Sequence, residues 1–129
     1  MACNPLIIWR PIPPGSRFTP STDGDASAYN VTVFITRNGQ AELPLRHGQV
    51  ASEQAEVTIA AGEEYVFDVV LTLNQVPAQG ITLDLRVVGN DKQPVSVADG
   101  AGGQRPASCS SSFNDPADSP ILIKVIALA

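Results

Sequence analysis

The chain is short of the residues that chemistry is usually built on. It has one histidine, His47, two cysteines, Cys3 and Cys109, and one tryptophan, Trp9. A Ser–His–Asp arrangement needs a histidine, but no G-x-S-x-G elbow marks a nucleophile for His47 to serve. A lone histidine before a glycine reads as a loop residue. Two cysteines and one histidine match no zinc spacing. Lys and Arg number only 8 against 13 Asp and Glu, and the formal net charge is −5. The cations are scattered singly, so no basic patch exists to neutralise phosphates, and neither nucleic acid nor an anionic membrane is an expected partner. The longest apolar tract, residues 121–129, is broken by Lys124. It is far shorter than the roughly 20 residues a spanning helix requires.

Other candidate sites dissolve on inspection. Asp23-Gly24-Asp25 and Asp115-Pro116-Ala117-Asp118 place carboxylates close together, but neither fits the calcium pattern D-x-D-x-D-G. Gly100-Ala101-Gly102-Gly103 lacks the Lys-Ser/Thr ending of a phosphate loop. Glu63-Glu64 opens a strand and reads as solvated charge. Asn30-Val31-Thr32 fits a glycosylation sequon but falls inside an expected strand. No catalytic residue, metal or cofactor is expected, and the chain does not read as an enzyme.

Residues 1–5, MACNP, have neither a charged n-region nor an apolar h-region. A virion or the cytoplasm is therefore favoured over secretion. Cys3 and Cys109 either pair, tying the N-terminus to the Ser-rich stretch, or stay free. Free thiols are the expectation for a chain that starts at its own Met.

What is present is β patterning. The clearest stretch is residues 61–90. Tyr65, Phe67, Val69, Leu71 and Leu73 alternate with Val66, Asp68, Val70 and Thr72; Ile81, Leu83, Leu85 and Val87 alternate with Thr82, Asp84 and Arg86. Side chains alternate faces along a strand, so each segment has one face to bury. Residues 74–80, with Pro77 and Gly80, read as the loop of an antiparallel hairpin. In that register Phe67 faces Val87, Leu71 faces Leu83, and Asp68 meets Arg86.

Around this hairpin, residues 29–36 and 40–45 form strands joined by the turn Arg37-Asn38-Gly39. Pro44 demotes the second to an edge. Residues 46–54 read as a loop or at most one helical turn, and 56–60 and 94–98 as short strands. Residues 99–120, DGAGGQRPASCSSSFNDPADSP, read as a long polar loop. Residues 121–128 form a last strand, apolar on both faces apart from Lys124, so it is either central or paired with another chain. Residues 1–28 differ: Pro5, Pro11, Pro13, Pro14 and Pro20 exclude helix and central strand. Residues 6–9 can make a short edge strand, and residues 11–28 read as an extended arm.

Gly and Pro number 10 and 11, which disfavours long helices and suits a sandwich or barrel. The expected fold is all-β: an antiparallel immunoglobulin-like β-sandwich or jelly roll of about 7–8 strands. Residues 1–28 form its proline-rich arm and residues 29–129 the domain. Within it VTIAAGEEYVFDVVL resembles the paired strands of bacterial and phage immunoglobulin-like modules. The expected function is a non-enzymatic subunit of a larger protein assembly, a homo-oligomer or an assembly lattice, by type a phage capsid-decoration (cement) protein or a filament subunit. Contacts are expected from Trp9, Arg10, Arg17, Phe18, Phe113, Ile121 and Ile123, through the arm and the last strand. The alternative is a soluble or surface-tethered binding domain, adhesin- or inhibitor-like, that uses the 99–120 loop.

Overall fold

Alternating apolar side chains form strands here because each segment must bury one face and leave the other outside. The computed structural model describes residues 2–23, 29–41, 47–48, 57–74 and 80–129. Among the described residues all regular structure is β apart from one 3-10 turn, Pro116–Asp118. Asp115 caps that turn: its side chain accepts from the Ala117 N–H.

The first sheet is six-stranded. Its path runs from β1 (Leu6–Trp9) to β12 (Ile121–Leu128), then β7 (Glu64–Leu73), β3 (Tyr29–Arg37) and β4 (Gln40–Ala41), with β5 (His47–Gly48) also on β3. The second sheet runs from β11 (Ser108–Phe113) to β8 (Ile81–Val88), β2 (Arg17–Asp23) and β6 (Val57–Thr58). A two-stranded ribbon joins β9 (Ser96–Ala98) to β10 (Gln104–Pro106). Every pair is antiparallel except β1 with β12. The all-β expectation holds.

The two larger sheets share one core. Tyr65, Phe67, Val69, Leu71 and Leu73 from β7 are buried, and so are Ile81, Leu83, Leu85 and Val87 from β8. Phe18 on β2 stacks on Phe67 on β7, with ring centroids 4.0 Å apart. Trp9, Ile12, Tyr29, Ile59 and Val125 belong to the same cluster.

The hairpin expected from residues 61–90 does not form. β7 pairs with β12 and β3, whereas β8 pairs with β11 and β2. The alternation was right about the faces and silent about the neighbours. Two apolar faces can be buried side by side in one sheet or opposite each other across two, and here they oppose. Asp68 accordingly lies across from Lys124, and Arg86 bonds Asp84 on its own strand. Residues 75–79 of the connection lie outside the described residues.

Residues 11–28 are not an arm over their described part. β2 pairs along its whole length with β8, and Pro20 sits opposite Leu85. β6 pairs only with Arg17 and Phe18. From Thr19 onward β2 thus has one described neighbour, the edge position at which a strand tolerates proline. β1 is the expected edge strand, and β12 is central between β1 and β7.

The 99–120 segment is not a loop either. It holds β10, β11 and the 3-10 turn. Its composition hid β11 because the outward positions are serines. Cys109, inward, is buried.

The cysteines are paired, against expectation. Cys3 and Cys109 form a disulfide with Cα atoms 5.0 Å apart. The Cys3 N–H also donates to the Ser111 hydroxyl at 2.7 Å. These two contacts fasten the segment before β1 to β11, across the open side between the sheets. The Asn38-Gly39 turn between β3 and β4 is as expected, with positive φ at both residues, 51° and 81°. Of the expected 40–45 strand only Gln40–Ala41 falls within the described residues; Pro44 and most of the 46–54 stretch lie outside them.

Candidate interaction surface

The outward positions of the two sheets differ in kind. On the second sheet they are Thr82, Asp84 and Arg86 from β8, Ser108, Ser110 and Ser112 from β11, and Ser21 from β2; Thr19 takes the same side but is buried. In register, Thr82 lies across from Ser112, Asp84 between Ser110 and Ser21, and Arg86 between Ser108 and Thr19. Thr82 and Ser112 share a hydrogen bond of 3.2 Å. Arg86 donates from Nε to Asp84 at 3.1 Å and from Nη2 to its other oxygen. That pairing raises the Arg86 pKa above its ordinary value. This face is made to be wet.

The first sheet is the opposite. Its outward positions are Leu6 and Ile8 on β1, Leu122, Lys124 and Ile126 on β12, Val66, Asp68 and Val70 on β7, and Thr32, Phe34 and Thr36 on β3. Leu6 is 54% exposed, Ile8 43%, Phe34 46% and Leu122 61%. These are the large exposed apolar side chains among the described residues, and all four stand on one face of one sheet. Val66, Val70 and Ile126 are half-buried among them. Near the centre Lys124 Nζ lies 3.9 Å from Asp68 Oδ1. Scattered exposed apolar residues need no explanation, but a contiguous apolar patch marks a contact surface.

The edge of this sheet is less inviting than its face. The outer side of β1 is occupied: Arg105 donates from Nη2 to the Ile8 carbonyl at 3.1 Å, and the Ala98 N–H donates to the Arg10 carbonyl at 3.1 Å. Those contacts, with the disulfide, blunt the strand against pairing with another chain.

The residues expected to make contacts are not gathered on this face. Trp9, Phe18 and Ile123 are core side chains. Phe113 and Ile121 are partly buried against that core. Arg10 is exposed beside β1, and Arg17 is half-buried on the other sheet. The surface residues that sequence reasoning missed are Leu6, Ile8, Phe34, Val66, Val70, Leu122 and Ile126. A signal for them existed: Val66 and Val70 sit on the nominally polar face of β7, and β12 is apolar on both sides.

The weaker candidates find local explanations. The Asp99 carboxylate accepts from the Ala101 and Gly103 N–H groups at 2.8 and 3.0 Å, so the glycine-rich stretch already wraps an anion of its own chain. Those donors lower the Asp99 pKa. Glu63 accepts from the Tyr65 hydroxyl at 2.8 Å. No group of three or more metal-ligating side chains occurs among the described residues, and no helix among them is long and apolar enough to cross a membrane. The His47 backbone pairs with Thr32; its side chain, Gly24 and Asp25 lie outside the described part. A cleft of about 280 Å³ opens beside β8 and β11, lined by Asp84, Arg86, Lys92, Pro106, Ser108 and Ser110 among others.

Compared with family models, curated proteins and solved structures, the chain matches none.

Proposed function

We propose that the chain is a non-enzymatic interaction module, a subunit of a larger protein assembly. It docks through the outer face of the sheet that contains β1, β12, β7 and β3. One observation carries this reading: Leu6, Ile8, Phe34 and Leu122 are all exposed on that face, while the outer face of the other sheet is hydroxylated and charged. Burying four such side chains is worth roughly 1.5–3 kcal/mol each as an upper bound. Only a covered face collects that energy. The mode is face-on docking, because the β1 edge is already occupied.

The finer fold reading is an immunoglobulin-like or jelly-roll sandwich, supported by two facing sheets with a common core. By type the module fits a phage capsid-decoration protein or a filament subunit: an acidic, disulfide-tied β-domain with one wet and one apolar face. The disulfide favours a particle surface over a reducing interior. A second reading, a binding domain, draws on the cleft beside β8 and β11, which the 106–110 part of the 99–120 segment helps to line.

Light scattering on the intact chain and on Leu122→Lys is a direct test. The intact chain should exceed the mass of a single chain, and the variant should return to it. Equal single-chain masses for both would reject the reading.

A further inference from the structure

The outer face of the first sheet is its own complement along its two central strands. The row through Lys124 reads Leu6 on β1, Lys124 on β12, Asp68 on β7 and Phe34 on β3. The next row reads Ile8, Ile126, Val66 and Thr36. On the other side the row reads Leu122, Val70 and Thr32. A two-fold axis lying in this face, along the strands and midway between β12 and β7, exchanges these columns. It sets Lys124 of one copy over Asp68 of the other, and does so twice. It also sets Ile126 over Val66, Leu122 over Val70, and Leu6 over Phe34. Glu64, next to Leu128 at the end of the face, falls over Leu128 of the other copy.

We infer that this face binds the same face of a second copy of the chain, as an isologous dimer. This rests on the reading of the face as a docking surface and names its occupant. The charges make the choice. Lys124 and Asp68 stand side by side, each with its side chain about half exposed, at 53% and 41%. A partner of one charge sign would repel one of them, and a wholly apolar partner would desolvate both without new counter-charges. A second copy meets each with its opposite. With 4 residues in β1, 8 in β12, 10 in β7 and 9 in β3, strands about 4.8 Å apart rising about 3.4 Å per residue cover roughly 500 Å² per copy. Two such faces total roughly 1,000 Å², the lower bound for a specific interface. The dimer is therefore reversible and concentration-dependent.

Sedimentation across a concentration series tests this with Lys124→Asp, Asp68→Lys and their equimolar mixture, each checked for folding by circular dichroism. The intact chain should dimerise. Each reversal alone should weaken dimerisation by more than about tenfold, because like charges then face each other. The mixture should regain it, since the carboxylates of one variant face the ammonium groups of the other. If a reversal fails to fold, Leu6→Lys and Phe34→Asp repeat the test on the flanking columns. An associating chain whose mixture shows no rescue overturns the two-fold pairing but keeps the docking face, provided Leu122→Lys still dissociates it. A chain that stays single at every concentration, unchanged by Leu122→Lys, overturns both.

Discussion

The ring of Phe18 lies flat on that of Phe67, with centroids 4.0 Å apart and planes inclined by 8°. One belongs to β2 and the other to β7, so the stack joins the two sheets. Tyr65 continues it, 5.8 Å from Phe67. Both phenylalanines are fully buried. Phe18→Ala should therefore cost about 3–5 kcal/mol, read from the denaturant midpoint. A loss below about 1 kcal/mol would mean that the two sheets do not meet there.

The disulfide should matter as much. It spans 106 residues of sequence, and closing so long a loop restricts the unfolded chain strongly. Replacing both cysteines, Cys3→Ser with Cys109→Ser, should lower stability by about 2–4 kcal/mol. The same loss should follow a reductant applied to the intact chain. Thiol titration of the denatured, unreduced protein should find no free sulfhydryl; two free thiols per chain would contradict the pairing.

Neighbours on β12 should respond oppositely. Ile123 is 4% exposed and Leu122 is 61% exposed. Ile123→Ala should cost about 2–5 kcal/mol. Leu122→Thr should change the stability of the single chain by no more than about 0.5 kcal/mol. Thermal melts at low concentration separate the two. A large loss for Leu122→Thr with a small one for Ile123→Ala would place the strand one residue out of register, since such a slip exchanges its faces.

Alkaline pH should expose the role of Tyr65. Burial raises its pKa above the ordinary 10.0, and the hydrogen bond to Glu63 adds to the shift. A raised folded pKa means that the contribution is fully present below the unfolded value and is lost as pH rises through the folded one. Stability should thus fall from about pH 10 upward. Tyr65→Phe should flatten that fall in a pH series of unfolding curves. An unchanged slope in the variant would assign the loss to another group.

Much of the fold was legible because burial follows alternation. All nine odd positions of the 65–73 and 81–87 segments are buried, as their spacing required. Partner choice was not legible, since the alternation of Asp68 and Arg86 fits a hairpin and two facing strands equally well. β11 escaped notice because Ser108, Ser110 and Ser112 carry no apolar signal on their outward side. β2 escaped because Pro20 argues against a strand unless its edge position is known. The pairing of β1 with β12 joins the two ends of the chain and leaves no local trace. The docking face suffered most. Leu6, Ile8, Phe34 and Leu122 lie on three different strands, and only the register puts them side by side.

One comparison bears most directly on the claim that this face, and not the other, makes the contact. A lysine placed at Leu122, on the apolar face, and one placed at Ser110, on the hydroxylated face, should be compared by light scattering at equal concentration. Leu122→Lys should reduce the associated form to single chains, while Ser110→Lys should leave the mass of the intact chain unchanged. Loss of association in Ser110→Lys with none in Leu122→Lys would contradict it.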